Sequence, residues 1–394
     1  MTLRCLIRVA FAVRALAARQ YPALCSTMTT TSLNFASDNA VGASPKVMAA
    51  IAAANDGAAL AYGNDAWTRR VDDAMSALFE RDVIVSLLPT GTGANALALA
   101  CMTRPWGAVL THEESHISDD ECGAPEFFTD GAKLVGVAGY GSKLTPEAVT
   151  ARLARMPHGA VKQVQPQCLS ISQATESGLV YTPDEVAALS ASIRPRGLAL
   201  HMDGARFANA VVSLGCAPAD ITWKAGVDVL SFGATKNGAW AAEAVVFFDQ
   251  AKAAEMPWRR KRAGHTLSKA RFISAQFEAL LDNGHWLDLA RHANTMAARL
   301  AAGLGQIPGI RLGWPCEANA VFPIMPAGLA ARLRSRGVVF YDWTGGALAP
   351  ESILTSGESV SRFVCSFATR AEDVEAVIAL ATHLQENHLQ ASGD

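Results

Sequence analysis

No acidic residue precedes Asp38, no Cys-x-x-Cys pair occurs among eight cysteines, and charged residues make up only 18% of the 394-residue chain. Each shortage excludes something. Without paired cysteine spacings there is neither a zinc pattern nor a disulfide framework. Free, mostly buried thiols in a reducing compartment fit instead, and with them a cytoplasmic protein. A formal net charge of -2, with aromatics scattered rather than interleaved with Lys and Arg, leaves no footprint for nucleic acid. The N-terminal apolar stretch is too interrupted by arginine to span a membrane, so no membrane partner is expected.

What remains is apolar. Hydrophobic residues reach 50%, enough for a large α/β core with a smaller lobe and for a sizeable subunit interface. The N-terminus stands apart: Arg4, Arg8, Arg14 and Arg19 punctuate Leu, Ile, Val and Ala. Three readings stay open for it: an extension upstream of a true start at Met28, a transit peptide, or a helix packed on the body.

Two polar clusters follow short apolar runs. Leu198-Ala199-Leu200 leads to His201-Met202-Asp203-Gly204-Ala205-Arg206, and Val229-Leu230 leads to Ser231-Phe232-Gly233-Ala234-Thr235-Lys236-Asn237-Gly238. In an open α/β sheet such strand ends converge on the ligand. An Asp and a Lys there suit pyridoxal phosphate, which needs an amine for its Schiff base and an acidic partner for its ring nitrogen. A third run, from Val83 to Leu88, ends in Pro89-Thr90-Gly91-Thr92-Gly93-Ala94-Asn95 before a helix through Leu97, Leu99 and Met102. Exposed amides at that helix start form an anion site, with the Thr92 hydroxyl beside them. The loop lacks both the Walker ending and the dinucleotide fingerprint. His112 and His116 stand among Glu113 and Glu114 without the spacing of a zinc site. Asp119-Asp120-Glu121 reads as a solvated turn, and so does Trp258-Arg259-Arg260-Lys261-Arg262. Strands are expected over Val161–Gln165, Gly337–Tyr341 and Ser361–Phe367.

The wording of the Asp203 and Lys236 segments resembles the low-specificity L-threonine aldolases, from about Asn34 to the C-terminal region. The resemblance implies the fold-type I, aspartate-aminotransferase-like architecture: a large α/β domain with a mostly parallel sheet and a small C-terminal α+β domain. The expected partition is an extension over residues 1–33, a large domain over 34–260, connecting helices over 261–306 and a small domain over 307–394. It further implies that Lys236 carries pyridoxal 5′-phosphate and Asp203 faces its ring nitrogen. His116 lies over the ring and moves a proton. Gly91, Thr92 and Thr235 hold the phosphate. Arg206 meets the cofactor's phenolic oxygen and the substrate carboxylate, which Ser37 and Arg362 also grip. Tyr62 matches an element near the active site, often at a subunit boundary.

One departure is visible. Where many threonine aldolases carry a second histidine, this chain has Thr175, within Gln173-Ala174-Thr175-Glu176. That wording is similar to a phenylserine aldolase subgroup, so the aldehyde pocket is expected to accept an aromatic group. The implied reaction is cleavage of threonine, allo-threonine or phenylserine to glycine and an aldehyde, by a homotetramer or a dimer. A pyridoxal-phosphate dehydratase of 3-hydroxy amino acids is the close alternative. A catalytically silent α/β interaction protein is the remote one.

Overall fold

The computed structural model describes residues 33–392; the arginine-punctuated N-terminal stretch and its three readings lie outside them. From Asn34 onward the chain is one compact unit. Its centre is a seven-stranded sheet: β1 (Ile84–Leu88), β2 (Gly107–His112), β3 (Lys133–Val137), β4 (Gln165–Ser172), β5 (Ala199–Gly204), β6 (Val229–Gly233) and β7 (Glu243–Phe247). The spatial order is β1-β7-β6-β5-β4-β2-β3. Strand β7 runs antiparallel to both its neighbours, β1 and β6, and the other pairs are parallel. Every residue of β2, β5, β6 and β7 is buried. Helices covering both faces make such strands read as unbroken apolar runs rather than alternating ones.

A smaller antiparallel sheet follows. It contains β8 (Arg311–Leu312), β9 (Ala320–Val321), β10 (Pro323–Pro326), β11 (Tyr341–Trp343) and β12 (Glu358–Val364). Strand β12 pairs with β9, β10 and β11. The C-terminal helix Ala371–Ser392 buries Val374, Val377, Ala381 and Leu384, a stripe at helical spacing. Residues just after Asn34 run between two segments of the smaller lobe: the Phe35 amide donates to Val339 O at 2.8 Å and its carbonyl accepts from Val364 N at 2.8 Å. That tether carries Ser37 and Asp38 to the carboxyl ends of the large sheet.

Four local expectations need correction. Val161 is fully exposed in a turn, and the strand begins at Gln165. The basic run is helix Met256–Arg262, not a turn; Pro257 suits its first turn and Arg259 pairs with Glu255 at 2.7 Å, one turn back. The Gly337–Tyr341 strand is split into Val338–Val339 and Tyr341–Trp343, while the arginine-bearing strand runs over Glu358–Val364 rather than to Phe367.

Candidate active site

Helix α1 (Gly91–Met102) starts the site. Thr90 caps it, its Oγ1 accepting from Gly93 N at 3.1 Å. The first-turn amides have no partner within the helix. A Cβ on Gly91 would meet nothing within 4 Å, so this end is open to the cleft. Gly93 differs: a Cβ there would come within 2.9 Å of Thr90 Oγ1 and the His265 ring, so a larger residue would have to displace the cap or that ring.

Asp203 sits near the end of β5. Its Oδ1 accepts from Ala205 N at 2.9 Å and its Oδ2 from Asn95 Nδ2 at 2.8 Å. Asn95 Nδ2 also reaches Glu121 Oε1 at 2.9 Å, and the same oxygen lies 2.9 Å from His116 Nδ1. A polar chain thus runs Asp203–Asn95–Glu121–His116. It accounts for the clustering of His116, Glu121 and Asp203, whose ligand-type atoms lie within 4.8 Å of one another. Its hydrogen bond to Glu121 holds the His116 imidazole above its ordinary range, against the opposing effect of burial. Behind Asp203, His201 is a core histidine between Ser170 Oγ (2.9 Å) and Ser231 Oγ (3.0 Å), pushed down to about 4 by burial and therefore neutral.

Lys236 lies in a short turn after β6. Burial, then the nearby Arg206 charge, push its amine below the ordinary lysine range. That raises the neutral, nucleophilic fraction. Arg206 forms a fork on Asp38, Nε to Oδ2 at 2.8 Å and NH2 to Oδ1 at 3.0 Å. Burial works against the Asp38 charge, but Arg206 and Lys236 hold the carboxyl below its usual range. Arg362 is the contrasting cation. Its guanidinium lies over the Trp343 ring at 4.4 Å, its Nε is buried without a partner, and its one polar contact is Ala36 O at 3.5 Å. Burial and the Arg206 charge push it down to about 10, so it stays protonated near neutrality.

Ser37, Gly91, Thr92, His116, Thr175, Asp203, Arg206, Thr235, Lys236 and Arg362 all line one cleft of about 690 Å³. Tyr62 does not; it is 53% exposed, in a turn whose amide donates to Ser268 O at 2.9 Å. Two hydroxyls in the cleft have local partners, but only Thr175 has its hydrogen committed. Ser37 Oγ accepts from Asn39 N at 3.1 Å. Thr175 Oγ1 donates to Gly141 O at 2.8 Å and accepts from Leu179 N at 3.1 Å. His112 is buried against Gly139 O at 3.0 Å, away from the cleft. Sequence reasoning missed Asp38, Asn95 and Glu121 as parts of the site. Glu121 was expected in a solvated turn, yet it is 3% exposed. An asparagine in the helix's first turns and an acid five residues after His116 were the available signals.

The residues fit pyridoxal phosphate. The open amide row suits its phosphate, Lys236 its aldehyde carbon and Asp203 its ring nitrogen. Asn95 Oδ1 and Glu121 Oε2, buried beside these groups, have no partner of their own, as expected where a polar ligand completes the site. Sheet and cleft together have the layout of a fold-type I, pyridoxal-phosphate-dependent enzyme. The chain belongs to the beta-eliminating lyase family, whose profile matches residues 34–325. It is 43% identical over 359 residues to the low-specificity L-threonine aldolase of a Pseudomonas species, covering 89% of this chain and all of that one. It is 42% identical to the enzyme of the same name from Pseudomonas aeruginosa, over 91% of this chain and 99% of that one. A solved threonine aldolase from Leishmania major superposes with a TM-score of 0.82 at 31% identity, over 89% of this chain and 99% of that one. The chain is thus an enzyme, and the silent interaction protein is set aside.

Proposed function

We propose that this enzyme performs retro-aldol cleavage of threonine-like 3-hydroxy-2-amino acids to glycine and an aldehyde. The observation that carries it is the convergence of Lys236, Asp203, the helix α1 amides and Arg362 on one cleft. Bound there, pyridoxal phosphate supplies an electron sink for the pair released from the Cα–Cβ bond. The chain's own groups do the rest. Lys236 offers a partly neutral amine. Asp203, fixed by Asn95 and the Ala205 amide, holds a proton at the ring nitrogen. Gly91, Thr92 and Thr235 receive phosphate. Arg362, whose Nε lacks a partner, takes the substrate carboxylate. Arg206 has two nitrogens occupied by Asp38 and acts with its remaining edge. Ser37 contributes the approach of its segment. His116 takes the proton from the β-hydroxyl, because the committed Thr175 hydroxyl cannot act as a base.

The missing second imidazole leaves room for larger aldehyde groups, so phenylserine is a substrate alongside threonine. The enzyme is a cytoplasmic homo-oligomer, a dimer or tetramer. Trp240, Trp258 and Tyr62 are 67%, 73% and 53% exposed on this chain and favour such an interface. Among the described residues no helix is long and apolar enough to cross a membrane. The test is glycine release from L-threonine and L-phenylserine by the wild-type enzyme and by Lys236→Ala. Glycine from the wild type alone supports the assignment, and equal glycine from both proteins refutes it.

A further inference from the structure

One buried acid stands where the proposed reading puts phosphate. Glu243 opens the antiparallel strand β7 and pairs with Leu88 of β1 on one side and Gly233 of β6 on the other. Leu88 leads into the helix α1 amides, and Gly233 leads into Thr235 and Lys236. Glu243 therefore lies at the base of the corner between them, 7% exposed and part of the cleft wall. Its Oε1 is 2.5 Å from Thr235 Oγ1. That hydroxyl already accepts from Ala242 N at 3.2 Å, with Ala242 O a poorer neighbour at 3.4 Å. Thr235 has only one hydrogen to give. If Glu243 is ionised, the hydrogen must go to the carboxylate. If Glu243 is protonated, the carboxyl donates instead, and the threonine hydrogen is free for another acceptor.

We propose that Glu243 is a proton-holding positioning residue of the phosphate corner, whose protonation reverses its hydrogen bond with Thr235 and turns the threonine donor toward the anion. An ionised Glu243 withholds that donor and adds a like charge. Binding of a phosphate monoester there takes up a proton. The charged groups facing Glu243 are Lys236 from the turn after β6 and Asp203 from β5. Burial outweighs the hydrogen bond to Thr235 and the Lys236 charge, pushing the carboxyl up to about 7. The affinity is thus present below that value and lost as pH rises through it.

This inference rests on the reading that the corner receives the cofactor's phosphate. The cofactor-free full chain is titrated with 4-deoxypyridoxine 5′-phosphate, which keeps ring and phosphate but cannot link to a lysine. 4-Deoxypyridoxine, without phosphate, is the second ligand. Wild type and Glu243→Gln are compared from about pH 6 to about pH 8, with affinity read by calorimetry. The glutamine amide donates to Thr235 at every pH. The ligand's own titration is common to both proteins and cancels in their ratio. The expected result is that wild-type affinity for the phosphate ligand falls about tenfold more than that of Glu243→Gln over this range. The phosphate-free ligand shows no such difference. Calorimetry of the wild type in two buffers of different ionisation enthalpy gives a second measure that needs no variant: proton uptake at about pH 7 beyond the ligand's own. Parallel pH profiles in the two proteins, or no extra uptake, overturn the role of Glu243 while leaving the corner intact. Failure of the wild type to prefer the phosphorylated ligand at any pH overturns the corner reading as well.

Discussion

Arg362 offers the sharpest test of how the cleft selects a carboxylate. Its place is set by β12 register, opposite Tyr341, and by the Trp343 ring beneath it. Its Nε is buried and unpartnered, so the protein spends little of the guanidinium's donor capacity internally. A carboxylate meeting that fork gains two charge-assisted hydrogen bonds, each about 1.5–3 kcal/mol. Arg362→Ala therefore loses about 3–5 kcal/mol of transition-state stabilisation, or about 150- to 5000-fold in kcat/KM for L-threonine. Arg362→Lys keeps the charge but loses the planar fork and its seat on Trp343, and falls between, down about 10- to 100-fold. Steady-state kinetics with a coupled aldehyde assay read both values, and cofactor absorbance checks that each variant is loaded. Arg206 gives the internal contrast, because two of its nitrogens already serve Asp38. A loss under tenfold in Arg362→Ala, or a lysine variant equal to wild type, would refute the carboxylate assignment.

Two further outcomes follow from the buried charges. Asp38→Ala strands Arg206 beside Arg362 and Lys236 and should cost about 3–5 kcal/mol in urea unfolding. Because the Asp38 carboxyl is held below its usual range, its contribution is complete above the unfolded value of about 4 and is lost as pH falls through the folded one. Glu121→Gln removes the bond that raises His116, so the rise of kcat/KM with pH should move to lower pH; an unmoved profile would take His116 out of the proton step.

Much of this site was legible because its parts lie at ends of buried strands. Apolar runs before Asp203 and Lys236, and the glycine-rich helix start at Gly91, carry local signals. Glu121 did not, since an acid beside Asp119 and Asp120 looks solvated until Asn95 and His116 close on it. Asp38 was equally opaque: its partner Arg206 is 168 residues away and meets it through the tether at Phe35. Thr175 does line the cleft, but the engagement of its hydroxyl with Gly141 is a contact no spacing reveals. The basic run misled because its helix is stabilised by Glu255, just outside the run.

The most direct measurement is the identity of the products from L-threonine in the presence of pyridoxal phosphate, followed by NMR. Equimolar glycine and acetaldehyde is the predicted result, since it requires Cα–Cβ cleavage. Ammonia and 2-oxobutanoate would mean loss of the β-hydroxyl instead, and would contradict the aldolase assignment while leaving the fold and cofactor standing.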